Sequence, residues 1–128
     1  KRNGEIDPRP GHFMDVMATF VDVSGVSYPE QFRGHRILPM EGESLLPAFL
    51  GQQPKTRTLC FEHEQHCAVR RGKWKLSKIK ERDWELYNMD VDRTELNNLA
   101  DEYPELVREL KNSWDEWAVR THVVPRKK

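Results

Sequence analysis

The chain has 128 residues, 37% hydrophobic and 33% charged, with Lys plus Arg and Asp plus Glu both at 21. Zero formal charge removes any global attraction to nucleic acid or an anionic membrane, and no apolar run is long enough to span a bilayer. Four Trp, five Phe and three Tyr are enough large apolar surface for one compact domain and argue against disorder.

In chain order, residues 1–11 carry Gly4, Pro8 and Pro10 among charges and read as an arm or linker. The opening Lys1-Arg2-Asn3-Gly4, with no Met and no apolar leader, is what a fragment would show. Phe13, Met14, Met17, Phe20 and Val21 recur at helical spacing and predict a helix over 12–23, with Gly25 after its last turn. Residues 24–43 hold Pro29, Gly34, Pro39 and Gly42 without periodicity and read as an irregular surface excursion. A short helix is expected over 44–50, with Ser44 as its N-cap.

Beyond 56 the pattern changes. Arg57–His63, Cys67–Arg70, Lys73–Leu76 and Trp84–Tyr87 are short strand candidates, and a turn is expected at Arg71-Gly72. Alternation along Lys73-Trp74-Lys75-Leu76 sends the two Lys to solvent and Trp74 and Leu76 to the core. Pro104 opens a long helix whose Leu106, Val107, Leu110, Trp114, Trp117 and Ala118 form one apolar stripe. Two Trp on such a stripe need a partner surface, so the helix should lie across the sheet. The expected class is α+β, a small antiparallel sheet of three to four strands packed against a long C-terminal helix, with a helical and irregular N-terminal segment. The expected organisation is 1–56, then 57–120, then a basic tail at 121–128.

Two cysteines, Cys60 and Cys67, are too few for a disulfide framework, and their redox state stays open. Arg70, Arg71, Lys73, Lys75, Lys78, Lys80 and Arg82 make a basic run around Trp74. Nucleic acid is not the expected partner, because acidic residues elsewhere cancel the charge and no nucleic-acid fold pattern accompanies the run. The same face offers weak attraction to a glycan sulfate.

Several stretches, taken in order, are familiar. Glu62-His63-Glu64 followed by Ala68-Val69-Arg70-Arg71-Gly72-Lys73-Trp74-Lys75-Leu76 resembles the sulfatase C-terminal hairpin with pattern EHEG…AVRxGxWKL. Glu85-Leu86-Tyr87-Asn88-Met89, with Asp92, Glu95, Asn98, Leu99 and Ala100, is similar to the ELYDLxxDPxExxNLA segment of that family. Gly11 to Thr19 looks like the helix after the catalytic core, and Gly42-Glu43-Ser44-Leu45-Leu46-Pro47 resembles the GxSLLP turn that follows it. The likeness covers residues 11–120.

The resemblance implies an intact enzyme that hydrolyses sulfate esters through a formylglycine made in a C/S-x-P-x-R signature, with calcium held by Asp and Asn oxygens. Neither Cys60 nor Cys67 fits that signature, and no Asp-Asn calcium pair or Lys-bearing Gly-rich segment is present. The chain therefore reads as a C-terminal non-catalytic portion, inactive alone. Its expected partners are the missing N-terminal catalytic domain of the same polypeptide and, in the intact enzyme, a sulfated small molecule or glycan. Resemblance also implies a periplasmic or extracellular location.

Glu62, His63, Glu64 and His66 are the substrate-facing candidates, beside the readings of a plain surface hairpin and a metal site. Along one extended strand His63 and His66 point to opposite faces, which disfavours a metal. The family pattern has a small residue at Gln65 and often Asn at His66, so this loop has diverged as a specificity loop would. Two alternatives stand beside the sulfatase portion: a free-standing binding module descended from a sulfatase, and a small metal-dependent hydrolase. A portion of a larger enzyme predicts uncovered apolar surface over 11–50, with self-association as a consequence.

Overall fold

The computed structural model describes residues 4, 6, 9–53 and 55–123. Most of the expected basic tail and much of the N-terminal arm lie outside the described residues. The chain divides into two compact units, Lys1–Lys55 and Thr56–Lys128.

The first unit is organised by one buried charge. Helix α1 spans Asp15–Ser24 and ends on Gly25, whose left-handed φ of 68° closes the last turn. Asp15 is fully buried at its start. Its carboxylate accepts the His12 N–H at 2.7 Å and the Glu43 N–H at 3.1 Å, so it satisfies backbone donors on both sides of a long loop. One turn later, Thr19 Oγ1 donates to the Asp15 carbonyl at 2.7 Å and accepts the Leu45 N–H at 2.9 Å.

This stitching brings the Gly42–Pro47 turn against α1. A Cβ on Gly42 would lie 2.1 Å from the Met14 carbonyl oxygen, so only glycine fits. Helix α2, Leu46–Phe49, follows. Its N-cap is Leu45 rather than the expected Ser44, although the Ser44 hydroxyl accepts the Leu46 N–H at 3.1 Å. Arg9, from the arm, donates to the Ala48 carbonyl at 2.9 Å and to Gln52 at 2.6 Å, and so supplies positive charge where the helix ends. The excursion between the helices holds a small ribbon that the absence of periodicity concealed. Strands β1 (Gln31–Phe32) and β2 (His35–Arg36) pair across Arg33-Gly34, both at positive φ.

The second unit is a four-stranded antiparallel meander, β3 (Thr58–His63), β4 (His66–Arg71), β5 (Trp74–Ile79) and β6 (Glu85–Asn88), with helix α3 over Pro104–Arg120. The α+β expectation is met. Cys60 stands opposite Val69, Val69 opposite Leu76, and Leu76 opposite Leu86, so one row crosses every strand on a single face. Val69, Leu76 and Leu86 are fully buried against Leu110 of α3, which is also fully buried. Around them the Trp84 and Trp114 rings meet edge-on at 6.0 Å, Trp114 and Trp117 lie 6.2 Å apart, and Trp74 meets Tyr103 at 5.1 Å. The Trp114 indole N–H donates to the Phe61 carbonyl at 3.0 Å, so the two helix Trp are core packing rather than a sugar platform.

The segment after β6 finishes the sheet. Leu99 N–H donates to the Leu86 carbonyl at 2.8 Å, while Asn98 Oδ1 accepts the Leu86 and Ala100 N–H groups, each at 3.0 Å. The Asp92 carboxylate accepts the Asn97 and Leu96 N–H groups, each at 2.9 Å, and these bonds hold its carboxyl below the usual range. Glu95 then reaches back to Lys75 at 2.5 Å. Lys75, expected in solvent, is therefore half-buried, because the 90–97 loop folds over its end of the strand.

Two outcomes follow from this packing. Gly42→Ala should lose about 1–3 kcal/mol of stability through backbone overlap, whereas Gly11→Ala, whose nearest contacts lie at 3.9 Å, should be close to neutral. Chemical denaturation of the two variants checks it. Burial pushes the Cys60 thiol from its ordinary 9.0 to about 11, and burial followed by the Glu85 carboxylate pushes Tyr87 from 10.0 to about 12. Both groups fold neutral, so their contribution is complete below pH 9.0 and is lost as pH rises toward 12. Urea midpoints at stepped alkaline pH should fall over that window, and a flat profile would contradict it.

Candidate functional site

The candidate residues sit at the tip of the β3–β4 hairpin. His63 and His66 form its closing pair, leaving a two-residue turn of Glu64 and Gln65. Both turn residues have positive φ, 51° and 71°, as a type I′ turn demands. Neither is the Gly or Asn that adopts this conformation at low cost. The Glu62 carboxylate compensates by accepting the Gln65 N–H at 2.9 Å across the turn.

Glu62, His63, Glu64 and His66 are all exposed. The expectation that His63 and His66 point to opposite faces is corrected: they are direct cross-strand partners and share one face. Their odd separation would place them apart on a continuous strand, but the chain reversal at the turn restores the parity. Glu62 pairs with Cys67 on the other face, and Glu64 occupies the tip. The four side chains therefore do not converge on one point. No group of three or more His, Cys, Asp or Glu among the described residues is arranged to hold a metal ion.

A second turn joins the hairpin tip from the side. Ile79 stands opposite His66 at the end of β5, and the chain then reverses tightly. Lys80 adopts φ 51° and Arg82 N–H donates to the Ile79 carbonyl at 3.0 Å. This places Lys80, Glu81 and Arg82 beside Gln65 and His66 around an open groove of ≈ 600 Å³, with Ile79 also in its lining. Strand alternation divides the linear basic run between both faces, which hid this gathering of its last members. The informative signal was the β5–β6 turn rather than the charge count.

Both cysteines are free and lie diagonally across β3 and β4 on the face toward α3. Burial raises the Cys60 thiol, and burial followed by the Glu62 charge raises Cys67, the opposite of what an activated nucleophile needs. Neither is followed by x-Pro-x-Arg. The sequence around each cysteine thus does not fit a formylglycine precursor, and the described residues hold no carboxylate cluster that fits a calcium cage.

With this geometry in place, comparison with known proteins fixes the class. The family model for the C-terminal region of N-sulphoglucosamine sulphohydrolase matches residues 12–120. The chain belongs to this family of sulfatase C-terminal regions. It is 27% identical over 119 residues to an uncharacterized sulfatase of Schizosaccharomyces pombe, covering 87% of this chain and 22% of that one. Its fold is similar to that of Ps i-CgsB in complex with k-i-k-neocarrahexaose, with TM-score 0.66, 22% identity, and coverage of 81% of this chain and 23% of the other. A structure solved with its substrate D-glucosamine-2-N,6-O-disulfate matches with TM-score 0.55 and 25% identity, again over 81% and 23%. The chain thus spans less than a quarter of the length of these relatives.

The turn offers a direct test. Gln65→Gly relieves a left-handed non-glycine residue and should stabilise the second unit by about 0.5–1 kcal/mol after the added unfolded-state entropy is subtracted. A rise in the denaturation midpoint with an unchanged slope is the expected reading; a fall would show that the Gln65 side chain contributes more than its backbone costs.

Proposed function

We propose that this chain is the non-catalytic C-terminal portion of a sulfuric ester hydrolase. In this reading residues 1–56 end the catalytic region, 57–120 are the C-terminal subdomain, and the formylglycine and calcium of the intact enzyme come from the N-terminal part of the same polypeptide. The observation that carries it is the uncovered apolar surface of the first unit. Phe13 is 90% exposed, Phe20 67%, Leu38 85% and Phe49 71%, with Met17 and Val23 also exposed on α1. Side chains of this size at such exposure form an interaction face rather than an ordinary surface. A catalytic domain making up the remaining length of the relatives is the natural cover. The same face makes self-association the expected behaviour of the chain alone.

The hairpin tip of Glu62, His63, Glu64 and His66 is the part of the second unit that we assign to the substrate opening. Exposure of all four side chains, on a turn whose geometry is set by backbone rather than by burial, supports that assignment. In this role they position substrate by hydrogen bonds, since they do not converge as a catalytic group must.

Turnover of an aryl sulfate discriminates this reading from the alternatives. The 128-residue chain should give none, and the polypeptide encoded with its upstream sequence should give measurable hydrolysis that chelation of calcium abolishes. Hydrolysis by the short chain alone would overturn the assignment, and an upstream sequence lacking the C/S-x-P-x-R signature would favour a free-standing binding module.

A further inference from the structure

We infer that His63 and His66 form a two-imidazole chelate for a first-row divalent transition metal, copper(II), nickel(II) or zinc(II), held across the tip of the β3–β4 hairpin. The inference goes beyond the sulfatase reading and does not depend on it, because it asks for coordination and for no bond-breaking step.

The strand register carries it. His63 and His66 are cross-strand partners that close the hairpin, so their imidazoles leave the same face of neighbouring strands. Directly opposed residues hold their Cβ atoms about 4.5–5.5 Å apart. Two imidazole nitrogens about 2.0 Å from one ion lie about 3 Å from each other, within reach of side chains rooted at that spacing. The parity that disfavours a metal applies to one continuous strand, and the two-residue reversal removes it. Among the described residues no other two histidines stand opposite each other. His35 faces Phe32, while His12 and His122 lie outside the strands.

The turn holds the pair in register. Glu64 and Gln65 are fixed at φ 51° and 71°, and the Glu62 carboxylate accepts the Gln65 N–H at 2.9 Å. A chelate whose two arms are already matched loses little freedom on binding. Both histidines are exposed, so neither has to be freed from a packed core. Strand β3 is the edge of the sheet, and beyond His63 water has access to the remaining coordination positions. On the other side Ile79 stands opposite His66, 43% exposed, as an apolar flank.

The donor set selects the ion. Neutral imidazole suits copper, nickel and zinc, whereas calcium and magnesium ask for oxygen ligands. No third His, Cys, Asp or Glu among the described residues joins the pair in a metal-holding group, so water completes the shell and the ion exchanges freely. Affinity follows the Irving–Williams order, with copper above nickel and zinc. Lys80 and Arg82 border His66 and repel a dication, but Glu81 in the same groove and Glu64 in the turn offset them. A bound ion ties β3 to β4 across a turn of two left-handed non-glycine residues, and so stiffens the tip.

Copper(II) iminodiacetate leaves two adjacent positions open for a pair of imidazoles and is the probe, titrated calorimetrically against the polypeptide that includes the upstream sequence. Pulsed EPR of the bound probe should show modulation from two imidazole rings. His63→Gln and His66→Gln should each weaken this binding about 100-fold, because either one removes the chelate, and the double variant should lose little more. Cys67→Ser should bind as the unsubstituted protein does, which separates imidazole from thiolate coordination. The signature of a single imidazole, binding carried by one of the two histidines alone, or an affinity indifferent to both substitutions would overturn the chelate. Aryl sulfate turnover judges the hydrolase reading separately, since the titration needs no chemistry.

Discussion

Everything in the second unit hangs on one row of contacts. Cys60, Val69, Leu76 and Leu86 lie side by side across four strands, and Leu110 closes over them from α3. A meander of this size buries too little by itself to persist in water, and a helix with two Trp on one stripe cannot stay exposed. Each is the condition for the other. The row also sets the register of every strand, because a slip by one residue would turn Val69, Leu76 or Leu86 outward. Strand ends, and hence both turns that form the groove, are located by a core that lies well away from them.

The motifs that identify the family are, in this light, mostly structural. Gly42 is required by the carbonyl of Met14, Asp92 turns a loop, Glu95 ties that loop to Lys75, and Asn98 completes the outer strand. None of these residues needs to approach a substrate. Each of them holds backbone in place, while the side chains of Glu62, His63, Glu64 and His66 at the hairpin tip are exposed.

Much of the frame was legible because its signals are periodic. The α3 stripe and the alternation through Trp74 and Leu76 each announce which side is buried. The site was less legible because it depends on parity and on turns. His63 and His66 share a face only through a two-residue reversal, which spacing along the chain cannot reveal. Lys80 and Arg82 look like two more members of a basic run until the end of β5 places them beside His66. The ribbon at Gln31–Phe32 and His35–Arg36 is too short to carry any period, and the buried Asp15 had no sequence cue apart from its place at a helix start.

The closure of β6 has a bearing on how this molecule meets its neighbours in solution. The Leu86 backbone, which would otherwise present a bare donor and acceptor to any passing strand, is occupied by the Asn98 amide and the Leu99 N–H. On the opposite border, the Trp114 indole claims the Phe61 carbonyl. Edge-to-edge templating is therefore blunted along β6, and along β3 one acceptor is withdrawn from it. Phe13 and Phe20 of α1 are exposed apolar side chains of a different kind, whose contacts need no strand pairing.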